Sequence, residues 1–95
     1  MTDNVFLALQ AVDDTRSIVE AIEQDNPEAV VDYQPAMVRI TAPGSLTVKR
    51  ETVSEKLGRD WSPQDIQLLL ITFGGNVDED EDEFVLYWGS KSPIQ

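Results

Sequence analysis

Apolar and polar positions change rhythm several times along this chain, and each change predicts an element. Val5-Phe6-Leu7-Ala8-Leu9 is a continuous apolar run of strand length, closed by Gln10, and reads as a buried strand. Asp13 or Asp14 caps the helix that follows, because a carboxylate there accepts a backbone N–H that has no partner inside the helix. Ile18, Val19 and Ile22 then form an apolar stripe at helical spacing, with Glu20, Glu23 and Gln24 facing away. Pro27 disfavours helical geometry at Asn26 and ends the helix there.

The rhythm then shifts to alternation. Val31 and Tyr33, Val38 and Ile40 around Arg39, and Leu46 and Val48 around Thr47 each alternate with polar neighbours, as three strands of a meander would. Gln34-Pro35-Ala36 separates the first two. Ala42-Pro43-Gly44-Ser45 separates the second pair and suits a type II turn, with proline fixing φ and glycine supplying the positive φ after it. Thr52-Val53-Ser54-Glu55 has the form of a capping box, with Val53 and Leu57 one turn apart and Gly58 as a left-handed terminator. Ser62-Pro63-Gln64-Asp65 repeats the start signal for a short helix, and Trp61 just before it is placed to pack back as a staple.

Residues 68–73 and 84–88 read as the arms of a hairpin around Gly74-Gly75-Asn76 and six consecutive carboxylates, Asp78 to Glu83. The predicted order is β-α-β-β-β-α-(α)-β-β. Strands far outnumber the short helices, so the expected fold is α+β: a single small domain with a largely antiparallel sheet and two to three short helices.

At 95 residues, the chain suits one domain that buries roughly two thirds of its unfolded surface. Its 41% hydrophobic and 26% charged residues are those of a globular protein. No apolar run approaches the ~18 to 20 residues that span a bilayer. Met1-Thr2-Asp3-Asn4 lacks the basic region and apolar core of a secretory signal, so the expected location is the cytoplasm. A formal charge of −11 repels nucleic acid and anionic membrane, whose phosphates require Lys and Arg. It suits a basic protein partner, or simply solubility.

The absences narrow the chemistry further. Without cysteine there is no disulfide, thiolate nucleophile, iron–sulfur cluster or Cys-type zinc site. Without histidine the usual general base near neutrality and the commonest metal ligand are missing. No spacing nominates a pair of carboxylates for acid–base work, so no catalytic residue is assigned. Asp78, Asp80 and Asp82 match the first ligand positions of an EF-hand loop. Position six is Glu83 where glycine must turn the chain, and position twelve is Gly89 where a bidentate glutamate is needed. No metal or cofactor is expected. The acidic block reads as a solvated loop whose like charges keep the hairpin tip from adhering to other sheets. Gly44-Ser45-Leu46 lacks the preceding aspartate and following helix of a carrier-protein serine.

Two readings of Gly74-Gly75-Asn76 stand side by side: turn geometry, or close approach of another protein's backbone. Phe73, Phe84, Tyr87 and Trp88 read as core or half-core sheet residues. Met37 reads equally as an exposed anchor or as core.

Several segments, taken in order, carry a resemblance over nearly the full length. They are Val5-Phe6-Leu7-Ala8-Leu9-Gln10, Glu20-Ala21-Ile22 with Asp25-Asn26-Pro27, Gln34-Pro35-Ala36-Met37-Val38, Ala42-Pro43-Gly44 and Lys49-Arg50-Glu51-Thr52. Ile71-Thr72 and Gly75-Asn76-Val77-Asp78-Glu79-Asp80-Glu81-Asp82 complete the set. This order and spacing resembles the effector (coupling) proteins of bacterial multicomponent di-iron monooxygenases, most nearly the phenol hydroxylase effectors. Methane and toluene monooxygenase effectors share the pattern more loosely.

The resemblance implies that residues 1–95 form one effector domain that is cofactor-free and performs no chemistry itself. It implies docking on the large subunit of a di-iron hydroxylase that is fed electrons by an iron–sulfur flavoprotein reductase. Docking would raise turnover and couple oxygen activation to hydroxylation of an aromatic substrate. The implied hydroxylase-binding residues are Thr72, Phe73, Gly74, Gly75 and Asn76, with Met37 on neighbouring surface. Asn76→Ala or Gly75→Arg would then lower coupled hydroxylation with the fold intact. The alternative is an acidic decoy that occupies a basic protein groove, which would need carboxylates spread over the surface rather than clustered in one loop.

Overall fold

A computed structural model describes residues 4–88; Gly89 of the rejected calcium loop and both chain ends lie outside the described residues. The elements in order are β1 (Asn4–Gln10), α1 (Asp13–Asp25), β2 (Val30–Tyr33), β3 (Met37–Pro43), β4 (Ser45–Lys49), α2 (Arg50–Leu57), a 3-10 helix (Pro63–Leu68), β5 (Leu70–Gly74), β6 (Asn76–Glu79) and β7 (Glu83–Tyr87). All the pairings are antiparallel, as the α+β reading expects, but the strands form two sheets. The first runs β2-β3-β1-β5 and the second β4-β7-β6.

Antiparallel register fixes which side chains share a face. In the first sheet Val5, Leu7 and Leu9 of β1 oppose Ala42, Ile40 and Val38 of β3, and all six are buried. In the second, Leu46 and Val48 of β4 oppose Leu86 and Phe84 of β7, again buried. Ile18, Val19 and Ile22 of α1, Val53 of α2, Ile66 and Trp61 close the same core. The apolar run, the helical stripe and the Trp61 staple therefore behave as their spacing predicts.

The pairing partners differ from the sequence reading in three places. Only β2 and β3 form a meander; after Gly44, at φ 80°, β4 leaves for the second sheet and pairs with β7. The arms of the expected late hairpin separate: β5 pairs with β1, whereas β7 pairs with β4 and β6. The acidic block is not all loop. Asp78 and Glu79 belong to β6, an extra strand, and Glu83 begins β7, which leaves Asp80 to Asp82 as the turn. Asp80 shapes that turn: its Oδ1 accepts the backbone N–H groups of Asp82 and Glu83 at 2.8 and 2.9 Å, and its own N–H donates to Glu83 O.

Helix ends depart from the local signals for tertiary reasons. At α1 the reach-back comes from Thr15, whose Oγ1 accepts the Val12 N–H at 3.1 Å; Asp13 and Asp14 sit in the first turn, where their charge favours the helix dipole. Helix α2 starts at Arg50, two residues before the expected Thr52 cap, because the Arg50 N–H is satisfied by Asp82 O at 2.8 Å. Gly58 ends α2 at φ 77°, and Ser62 caps the 3-10 helix through Gln64 N–H, as expected. That 3-10 helix runs through Leu68, so β5 begins later than the apolar run suggests.

Asn26 does more than end α1. Its Oδ1 accepts the Thr47 N–H at 2.9 Å, while its Nδ2 donates to Thr47 O at 2.6 Å and Ile22 O at 2.8 Å. The side-chain amide thus pairs with β4 as a neighbouring strand's peptide group would, and satisfies one residue of that sheet edge. At the other end of the fold, Trp88 Nε1–H donates to Asn4 O at 2.8 Å.

Candidate docking surface

β5 and β6 are consecutive strands at the free edges of different sheets. The single residue between them is Gly75, at φ 132°, a conformation that side-chain-bearing residues rarely adopt. A Cβ there would also lie 3.1 Å from Val5 Cγ1 and 3.3 Å from Tyr87 O. Geometry therefore accounts for Gly75, and Gly75→Arg would disturb the crossover itself rather than leave the fold intact.

The crossover points the implied contact residues in different directions. Thr72 pairs with Ala8, and Gly74 with Phe6, so both lie on the outward face of the first sheet. Phe73 pairs with Leu7 and faces the space between the sheets, yet it stays 38% exposed because β5 is an edge. Asn76 pairs with Tyr87 on the outward face of the second sheet and is exposed. Met37 is half-buried and pairs with Gln10, on the same outward face as Thr72 but two strands away. At ~4.8 Å per strand and ~3.4 Å per residue, Met37 and Thr72 stand roughly 12 Å apart.

Between β5 and β6 the core opens as a cleft of about 600 Å³, walled by Leu70, Ile71, Phe73, Val77 and Phe84. Of the four late aromatics, Phe84 is core and Tyr87 half-buried, whereas Phe73 and Trp88 are exposed beyond the expected half-core. Ile71 and Val77, which line the cleft, are also exposed. Sequence reasoning passed over Ile71 and Val77 because their neighbours belong to two different sheets. It also passed over Phe6, a β1 residue whose place between buried Val5 and Leu7 puts it on the opposite face.

Charge frames this surface. β6 carries Asp78 and Glu79, with Gln67 Nε2 donating to Glu79 Oε1 at 3.3 Å. Among the described residues, no group of three or more carboxylates is arranged to hold a metal ion. A second hollow, of similar size, is lined by both signs of charge, including Arg50, Arg59, Asp60 and Glu83. Arg50 and Arg59 are already engaged there, with Asp60 and Asp14 respectively. The β5–β6 side thus offers open strand edge, apolar side chains and flanking carboxylates, which are features of a protein-binding surface.

Known proteins share this fold. A chain in the structure of a phenol hydroxylase–regulatory protein complex superposes with a TM-score of 0.86 and 48% identity, covering 92% of this chain and 100% of that one. The phenol 2-monooxygenase stimulatory component DmpM of Pseudomonas sp. (strain CF600) is 54% identical over 88 residues, 93% of this chain and 98% of that protein. The soluble methane monooxygenase regulatory protein B shares the fold at 23% identity, with a TM-score of 0.73 over 94% of this chain and 67% of that one. The sequence profile of the MmoB/DmpM family matches residues 3–87, and the chain belongs to that family.

Proposed function

We propose that this protein is the regulatory (effector) component of a multicomponent phenol monooxygenase. It binds the hydroxylase component and raises both turnover and the coupling of oxygen activation to aromatic hydroxylation. One observation carries the reading: the chain has the fold, and nearly half the residues, of a chain in a complex of phenol hydroxylase with its regulatory protein. The 54% identity to a stimulatory component points the same way.

The finer picture is also a proposal. Residues 1–95 act as one effector unit and dock on the large hydroxylase subunit, over the helices that hold its di-iron centre. A separate iron–sulfur flavoprotein reductase delivers electrons from NADH, and the cytoplasm, where NADH is available, is the place of action. The effector supplies no redox group. It acts by binding one hydroxylase state more tightly than another, and its leverage equals that difference in affinity. Thr72, Phe73 and Asn76 make contact; Gly74 and Gly75 let the backbone of the crossover present them; Met37 extends the surface across the first sheet.

The test is NADH-driven phenol hydroxylation by purified hydroxylase and reductase, with and without this protein. The expected result is a saturable rise in product per NADH that peaks near one effector per active site. An unchanged yield with a folded effector and its cognate hydroxylase would overturn the proposal.

A further inference from the structure

Arg39 lies in the middle of β3 on the outward face of the first sheet, with Asp32 of β2 directly across on one side and Ala8 of β1 on the other. An arginine in register with an aspartate ordinarily pairs with it. Here Asp32 Oδ2 instead accepts from Gln34 Nε2 at 3.0 Å. The Arg39 guanidinium lies over the Phe6 ring, with Cζ 4.3 Å from the centroid. The ion pairs among the described residues belong to Arg16, Arg50 and Arg59.

Phe6 is itself held by a glycine. It pairs with Gly74 of β5, and its ring lies so close that a Cβ at Gly74 would be 2.3 Å from Phe6 Cε1 and 2.6 Å from Cδ1. Gly74 makes room for the ring, and the ring orients the guanidinium. With Cζ held over the ring, N–H donors of the guanidinium that do not meet the ring remain for a planar acceptor. A side chain already held in this way loses less freedom on binding.

Its surroundings give the stack a meaning. Among the described residues Arg39 is the one cation on this outward face, in a chain of formal charge −11. An approaching carboxylate is repelled by most of this protein and accepted at this point, so a single cation fixes the register of docking. Thr72 lies across Ala8 from Arg39, and Met37 lies two residues along the same strand face, so Arg39 stands inside the proposed contact surface.

Resting on the docking role above, we propose that Arg39, preset by Phe6 and Gly74, is a specificity-determining residue that takes a carboxylate side chain of the hydroxylase in a bidentate pair. The experiment titrates purified cognate hydroxylase with wild-type protein, R39Q, R39K and R16Q. The last makes the same charge change on exposed α1. R39Q is expected to raise Kd about 10- to 100-fold, and R39K about 10-fold because an ammonium lacks the fork, while R16Q changes Kd less than about twofold. Saturating R39Q should restore product per NADH, which separates binding from chemistry. Equal Kd values for R39Q and R16Q, with wild-type binding intact, would overturn the role of Arg39 and leave the docking role standing. Absence of wild-type binding would overturn the docking role itself, and this inference with it.

Discussion

Replacing Asn26 by alanine tests how the two layers of the fold are joined. The substitution removes three hydrogen bonds: one accepted from Thr47 N–H, one donated to Thr47 O and one donated to Ile22 O. The cap's backbone N–H keeps its bond to Ile22 O, so α1 still ends where it does. Each lost bond is worth about 1 kcal/mol net, and Thr47 is half-buried, which limits how far water can substitute. The expected cost is therefore about 3 kcal/mol, or a fall in Tm of roughly 12–24 °C for a domain of this size. Urea unfolding followed by tryptophan fluorescence reads it directly, since Trp61 is core and should report the whole transition. The midpoint should fall with the slope unchanged. Asn26→Asp refines the test. It keeps an acceptor for Thr47 N–H but sets a carboxylate against two carbonyl oxygens, which raises its folded-state pKa. The penalty relative to wild type should then be large near pH 7 and shrink as pH falls and the carboxyl becomes a donor again. A cost below about 1 kcal/mol for Asn26→Ala, or a pH-independent penalty for Asn26→Asp, would refute the bridge.

Three further outcomes follow from the β5–β7 region. Asp80→Ala should destabilise by about 1 kcal/mol through loss of two bonds in the turn, whereas Glu81→Ala, its exposed neighbour, should be neutral or slightly stabilising; thermal denaturation of both separates turn geometry from charge. Gly75→Ala should cost about 1–3 kcal/mol because φ 132° suits glycine alone, and an unchanged Tm would show that the crossover relaxes freely. Asn76→Ala should leave Tm within about 1–2 °C of wild type while lowering product per NADH, and full coupling by a folded variant would remove Asn76 from the contact surface.

Elements were legible wherever a local rule decides them. The 5–9 run, Pro27, Gly44, Gly58 and Ser62-Pro63 mark their boundaries through dihedral preference or hydrogen-bond chemistry that acts within a few residues. Partners were not legible, because pairing is decided at long range. Arg50 starts α2 on account of Asp82, thirty-two positions away in sequence, so the capping-box pattern at Thr52–Glu55 falls inside the helix instead of starting it. Residues 68–73 and 84–88 look like one hairpin because each is strand-like and glycines lie between; the crossover at Gly75 instead leads from β5 in one sheet to β6 in the other. The proposed docking residues were legible only through family resemblance, for Thr72, Phe73 and Asn76 carry no chemistry of their own. Arg39 and Phe6 needed the order β3-β1-β5 before they became neighbours.

Three of the four sheet edges, β4, β5 and β6, divide the labour between stability and recognition. β4 is the edge the fold closes for itself, through the Asn26 amide and the helices packed beside it. β5 and β6 are left open, and between them the core shows Phe73 and Val77 at the surface. An open edge beside apolar side chains invites pairing with another copy. The acids of β6 and its turn supply the counterweight, since a second copy approaching edge to edge brings the same carboxylates against them. A basic partner surface meets no such repulsion. One charge distribution therefore opposes edge-to-edge pairing of two copies and suits a basic partner surface, while Arg39, of opposite sign on the adjoining face, would in the proposed role restrict how that partner can sit.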